Sequence, residues 1–263
     1  MTKLNRSIDR GLTVLEAVHA AGAISLAFLS KRTGLPKPTL LRICATLESR
    51  RWLIRRSSDG CYQIGSALLS VRGMPDLVDR LVAVGKQEIV HLSEQTGLGV
   101  DLAVAIGEGR TEIVDTTRMF KKHGVFPDTI GFRPSPILSA LGAAYLSGLS
   151  KPALAEALRR MVESLPREDA AVGPQLPRIL QAVADKGYAT RAKGHWGRAV
   201  DYGALPLAIG VPILTDKEPV GALNLVWNAD DRTVETVVND HLAKLQQAAK
   251  TIGQAYAGFT SRR

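Results

Sequence analysis

Cysteine is almost missing from this 263-residue chain, which has only Cys44 and Cys61. Two thiols cannot build a dense disulfide framework, and a reducing interior suits them better. Aromatic residues are scarce at 5%. No run of 18 uninterrupted apolar residues occurs, so no helical membrane span is expected. The opening MTKLNRSIDRGLTVLEAV lacks the apolar core and small-residue cleavage site of a secretory signal. The five histidines, His19, His91, His123, His195 and His241, show no HExxH or similar spacing, so no metal is expected. Glycine-rich nucleotide fingerprints are missing as well, and GEGR at 107–110 reads as a hairpin turn; no cofactor is expected. Neither cysteine sits in a nucleophile's context, and His195 with Asp201 as an acid–base pair would lack a supported nucleophile. Catalysis is therefore not expected.

What the chain does have is enough apolar material for a sizeable core. It is 45% hydrophobic and 22% charged, with a mean hydropathy of +0.03, which excludes disorder as the main state. The length suits one large domain or two modest ones. The formal charge is +9, and it is unevenly placed. Residues 1–75 hold 12 basic and 4 acidic side chains, while residues 76–263 hold 22 and 21. An anionic partner is implied for the first segment only.

That first segment reads as three short helices and a hairpin. Ile8, Leu12, Leu15 and Val18 fall on one face of a helix ending at Gly22. Ser25 caps a second helix running to Thr33, with Leu26 and Leu29 inward, and Gly34 turns the chain with Leu35 as anchor. Pro36 and Pro38 fit only the start of a third helix, which carries Leu40, Leu41, Ile43, Cys44 and Leu47. A strand at 52–56, the turn Ser57-Ser58-Asp59-Gly60 and a return strand at 61–64 complete a hairpin. Such a helix pair, with a basic second member and a hairpin behind it, fits a winged helix-turn-helix for duplex DNA. Lys37, Thr39 and Arg42 are then candidates for base edges or phosphates. Arg50, Arg51, Arg55 and Arg56 are candidates for phosphate, and so is the helix N-terminus at Ser25.

Downstream, a short helix at 66–72 leads to a linker and then a helix at 76–95 with Leu77, Leu81, Val84, Ile89 and Leu92 inward. Strands are expected at 99–106, 111–116, 188–190, 204–213 and 220–227, and a Gly/Pro-punctuated loop at 118–136. Helices are expected at 138–149, 151–163, 176–186 and 233–256. Antiparallel strands with helices on one side suggest an α+β sensory domain.

Several stretches together resemble the IclR family of bacterial transcription regulators: RSIDRGLTVLEAV, LAFLSKRTGLPKPTLLRICATLESRRWLIRR, YQIG, ILSALGAAYLSGL, DKGYATR and LAIGVPILTDKEPVGALNLVW. The resemblance covers nearly the whole chain. It implies two domains: an all-α winged helix-turn-helix at 1–65 and, after a linker helix at 66–75, an α+β GAF-like effector-binding and oligomerisation domain at 76–263. The recognition helix would be 36–50, with Pro38 standing where the family more often has a small polar residue. Implied partners are a palindromic operator in double-stranded DNA, a second copy or three more of the chain (homodimer or homotetramer), RNA polymerase and a small carboxylic acid. Implied too is a cytoplasmic, nucleoid-associated location.

The resemblance also implies an effector pocket between the sheet and the helix starting near Leu138. It would be closed by the 120–137 loop and by the segment entering the strand at Ala204. Ser139, Gly142, Asp201, Asn224 and Trp227 would face it, although tight helix–sheet packing explains Gly142 equally well. In RAKGHWGRAVDYGAL, Arg191, His195, Trp196, Arg198 and Asp201 mix cations with an aromatic ring, which suits a planar aromatic carboxylate. Arg118 and Arg133 are further candidates. GHWGRAVDYGALPLAIGVPIL and GALNLVWNADDRTVE are similar to the MhpR-like subgroup, which activates operons for aromatic acid catabolism. Two other readings stay open: a repressor answering an aliphatic acid, and an interaction protein that keeps the fold without reading an operator.

Overall fold

The computed structural model describes residues 5–65, 75–126, 130–161, 167–195, 205–216 and 218–260. The expected helix at 66–72 lies outside them, as does the side chain of Leu77.

Helix α1 (Arg6–Ala21) starts at Asn5, whose side chain accepts the Ser7 and Ile8 amides. Helix α2 (Leu26–Thr33) starts at Ser25, which accepts the Phe28 amide, and ends at Gly34 with φ 71°. That left-handed turn suits glycine, and it swings the chain into α3 (Lys37–Ser49), with Pro38 in its first turn. Strands β1 (Leu53–Arg55) and β2 (Tyr62–Ile64) pair antiparallel across the 57–60 turn. Ile24 and Tyr62 exchange backbone hydrogen bonds at 3.0 and 2.8 Å, so the wing is tied to the α1–α2 connection. Val14, Val18, Leu29, Leu40, Cys44, Leu47, Leu53 and Tyr62 form the core between these elements.

One expectation fails here. The apolar face of α1 was to run from Ile8 to Val18, but Ile8 is 62% and Leu12 51% exposed. The small core reaches only the C-terminal half of α1, where Val14, Leu15, Ala17 and Val18 are buried. The first two turns overhang a groove of about 730 Å³ beside α3.

The second unit begins with α4 (Pro75–Thr96) and is built on one antiparallel sheet of β3 (Gly99–Gly107), β4 (Arg110–Thr116), β5 (Ala189–Thr190), β6 (Pro206–Leu214) and β7 (Pro219–Asn228), in the order β4-β3-β7-β6-β5. The 107–110 segment is the β3–β4 hairpin turn. Between β4 and β5 come α5 (Phe120–His123), α6 (Ala140–Ser147), α7 (Lys151–Met161), α8 (Arg167–Val172), a 3-10 turn at Gly173–Gln175 and α9 (Leu176–Lys186); α10 (Val234–Thr260) follows β7. The sequence pattern missed α5 and α8, which are only four and six residues long.

Helices cover both faces of this sheet, not one. Leu102, Val104, Leu223, Leu225 and Trp227 pack with α4 and α10 on one face. Ala103, Ile113 and Ala222 pack with α6 on the other. The alternation follows from the two-residue period of a strand. Among the described residues no helix is long and apolar enough to cross a membrane.

Candidate DNA interface and candidate effector site

Helix α3 buries Leu40, Cys44 and Leu47 and turns Lys37, Pro38, Leu41, Arg42, Ala45, Thr46, Ser49 and Arg50 to solvent. Thr39, Arg42, Thr46 and Arg50 line up at i, i+3, i+7 and i+11 along the groove facing Ser7 and Arg10 of α1. A helix standing proud of its domain, with donors along one edge, has the form that enters a major groove. Burial pushes the Cys44 thiol up to about 11, with the Glu48 carboxylate adding to the effect, so this sulfur stays protonated and only fills space.

The remaining basic residues divide. Arg50 and Arg55 are exposed, the latter donating from Nε to the Gly60 carbonyl at 3.1 Å. Arg51, with φ 60°, pairs with Asp79 of α4. Arg56 is the correction. It is 8% exposed and holds Asp59 through two hydrogen bonds, while Asp59 also accepts the Cys61 amide at 2.9 Å. It braces the wing turn rather than presenting a guanidinium to phosphate. Ser25 is half-buried and spends its hydroxyl oxygen on the α2 cap.

In the second unit, a buried polar cluster sits on the α6 face of the sheet. Asp101 of β3 accepts from Thr116 Oγ1 at 2.7 Å and Arg118 Nε at 2.8 Å on one oxygen, and from Asn224 Nδ2 at 3.2 Å on the other. Asn224 Oδ1 in turn accepts from the Asp101 amide at 2.9 Å. Arg118 also donates from Nη1 to the Phe126 carbonyl at 3.0 Å. Arg118 and Asp101 are each 1% exposed. Arg118 and Asn224 are thus brought together, but their bonds to Asp101 and Phe126 fasten the loop after β4 to the central strands. Sequence reasoning missed Asp101 and Thr116; a lone acid within the apolar run GVDLAVAI was the signal.

Beside this cluster, Phe120 and Phe126 stack with ring centroids 4.2 Å apart. His123 is buried, and its Nδ1 accepts the Met119 amide at 3.0 Å. Its Nε2 has no hydrogen-bond partner among the described residues. Burial, together with the Lys122 and Arg118 charges, lowers its pKa to about 4.

Ser139 caps α6, accepting the Gly142 amide at 2.9 Å and donating to the Ser135 carbonyl at 2.5 Å. A Cβ on Gly142 would lie 2.4 Å from the Ser135 carbonyl oxygen, so this glycine faces the 135–136 backbone, not a cavity. Trp227 lies on the α4/α10 face, and its Nε1 donates to the Arg232 carbonyl at 2.8 Å. It follows Val226, which packs with Val125 and Ala140 on the α6 face. The period of two therefore turns the Trp227 ring away from the expected pocket. Arg133 is separated in the same way: it is half-exposed and pairs with Glu112, which shares the face of Val104 and Val114. Burial raises the Glu112 carboxyl, against the lowering effect of Arg133. His195 is half-buried, on a segment whose Ala192 amide donates to the Leu138 carbonyl at 2.9 Å just before α6. Trp196, Arg198 and Asp201 lie outside the described residues. Among the described residues no cluster of His, Cys, Asp and Glu could hold a metal.

Residues 7–57, the span from α1 through the start of the wing turn, match the model of the IclR helix-turn-helix domain. Transcriptional repressor IclR of Escherichia coli (strain K12) is 25% identical to the chain, over 97% of this chain and 91% of that protein. Over nearly its whole length the chain is similar to IclR-type DNA-binding transcriptional regulators. Its relatives are transcriptional regulators, not enzymes. The fold, a helical first unit followed by an α+β unit on a five-stranded antiparallel sheet, is that of solved IclR structures. One, an IclR family transcriptional regulator from Brucella abortus, superposes with a TM-score of 0.55 at 21% identity, over 96% of this chain and 93% of the other. Another, an IclR homolog from Microbacterium hydrocarbonoxydans complexed with 4-hydroxybenzoate, gives 0.53 at 20% identity, over 96% and 99%.

Proposed function

We propose that this regulator answers a small aromatic carboxylic acid and controls a catabolic operon as an activator of the MhpR-like kind. In this reading residues 1–65 read the operator, 66–75 link, and 76–263 sense the acid and assemble the homodimer or homotetramer. The operator is palindromic duplex DNA, RNA polymerase is the further partner, and the chain works in the cytoplasm on the nucleoid.

The observation that carries the acid is the hydrogen bond from the Ala192 amide to the Leu138 carbonyl. It fixes the start of the cation- and aromatic-bearing RAKGHWGR segment beside the N-terminal end of α6, where helix amides favour negative charge. The stacked Phe120 and Phe126 supply an aromatic surface in the loop next to the sheet. The Microbacterium hydrocarbonoxydans protein, seen with 4-hydroxybenzoate, supports the same class of ligand. Calorimetry of the full chain against matched aromatic and aliphatic acids tests it. Aromatic binders are expected, and a panel in which only aliphatic acids bind refutes the class.

DNA binding by the first 75 residues should fall steeply with salt, because most of the positive charge lies there. Anisotropy on labelled duplexes showing no binding at low salt would sink the operator assignment. A second reading, repression, is favoured by the designation of the Escherichia coli relative as a repressor. A reporter fused to the operator separates the two by the sign of its response to deletion of the regulator.

A further inference from the structure

The wing does not stand clear of the second domain. Ser57, in the wing turn, donates from Oγ to Asp115 Oδ2 of β4 at 2.7 Å. Arg51, at the wing's base, holds Asp79 of α4. Ile54 of β1 faces Val78, Val82, Val114 and Ile130 across a crevice of about 240 Å³, with Glu112 at its side. Asp79, Glu112 and Asp115 give this face of the second domain three carboxylates, and Glu112 and Asp115 are buried. Glu112 is taken by Arg133, and the wing meets Asp115 and Asp79 with a hydroxyl and a guanidinium, the donor types that proteins use on DNA phosphates.

The Ser57 hydroxyl proton and the Arg51 Nη1 donor cannot serve carboxylate and phosphate at once, and a guanidinium held on Asp79 is not free to reorient towards DNA. Lys37 and Arg42 on α3 meanwhile face solvent. The recognition helix is therefore presented while the wing is engaged. The contact also has the build of one that comes apart. It includes an ion pair open to solvent, Arg51–Asp79, whose members are 43% and 33% exposed.

We propose that the acidic face of β4 and α4 is an internal competitor for DNA, which holds the wing through Arg51 and Ser57 and lowers operator affinity until the wing is released. This rests on the reading of the first domain as a duplex-DNA reader. Release would arm the wing without any change in the recognition helix itself, so the second domain gains a direct hold on DNA affinity.

The test is a double-mutant cycle on the full-length chain, with wild type, Asp79→Asn, Arg51→Ala and the double variant. Each is titrated by anisotropy against a fluorescein-labelled 30-base-pair duplex at low salt. Circular dichroism confirms folding, which a change at half-exposed Asp79 should leave intact. Asp79→Asn is expected to tighten binding by about two- to fivefold, the range for a partly exposed ion pair, and to have no effect once Arg51 is gone. If it tightens both backgrounds equally, or neither, the competition is overturned while DNA binding stands. If no form binds duplex at all, the DNA reading itself has failed and the competition falls with it.

Discussion

Asp101→Asn is the substitution that most sharply tests the second domain. Asp101 is 1% exposed, and its two oxygens accept from Arg118, Thr116 and Asn224. The asparagine keeps the shape but loses the charge, and one acceptor becomes a donating NH2. Turned one way, that group meets the Arg118 Nε–H and the Thr116 hydroxyl; turned the other, it meets the Asn224 amide. Either way donors oppose donors around a buried guanidinium. Removing one partner of a buried ion pair costs about 3–5 kcal/mol. At about 2–4 °C per kcal/mol for a domain of roughly this size, the second domain should melt roughly 6–20 °C lower. Scanning calorimetry of the full chain, which resolves the two domains' transitions if they are separate, is the assay. A double change, Asp101→Leu with Arg118→Met, removes both charges and should recover most of the loss. A drop under 2 °C in Asp101→Asn, or a double variant no better than the single, would refute the account. The folded double variant should also still bind the aromatic acid, because Arg118 is spent on Asp101 and Phe126; loss of binding would return Arg118 to the ligand.

Arg42→Ala is expected to weaken operator binding by about 1–3 kcal/mol and non-specific binding by less, measured by competition anisotropy; equal losses would reduce Arg42 to a phosphate contact. Gly142→Ala forces a Cβ to within 2.4 Å of the Ser135 carbonyl oxygen and should lower the denaturation midpoint by the equivalent of about 1–3 kcal/mol; an unchanged midpoint would show that α6 and the 135–136 segment do not pack so closely. For His123, the folded pKa of about 4 lies below the ordinary 6.5. Between those values the unfolded chain takes up a proton that the folded chain refuses, so stability is whole above about pH 6.5 and declines as pH falls towards 4. His123→Asn keeps an acceptor for the Met119 amide and should flatten that decline in thermal melts; identical pH profiles would clear His123 as its source.

The first domain was the more legible in sequence because its architecture is punctuated locally. Ser25, Gly34, Pro36, Pro38 and the Asp59-Gly60 pair each act within a few residues, and each boundary they mark is present. Ile8 and Leu12 show the limit: periodicity finds an apolar face, but only tertiary packing decides how much of it is covered. In the second domain the strands were readable, whereas sidedness was not. Trp227 was assigned to the pocket by the family resemblance and Arg133 by its chemistry, and strand alternation turns Trp227, and the Glu112 that holds Arg133, to the other face. The bonds that matter most there join residues far apart in the chain, such as Asp101 with Asn224 and Ser57 with Asp115, and no local pattern announces them. Arg56 was misread for the opposite reason: its partner Asp59 is three residues away, within the turn already recognised.

Helix α6 is enclosed on every side, with every residue from Ala140 to Leu146 buried. Above it, Gly142 touches the 135–136 backbone, and below it Gly210 of β6 would place a Cβ 2.7 Å from the Ala140 carbonyl oxygen. Such a helix has no slack in which to tilt alone. A molecule that wedges against its end must carry the preceding loop and the β6 strand along with it, like a key turning the whole cylinder of a lock. In the effector-binding reading proposed above, the response of this domain is set by how that block shifts as one piece, and substitutions that loosen either glycine contact would blunt the signal before they abolish binding.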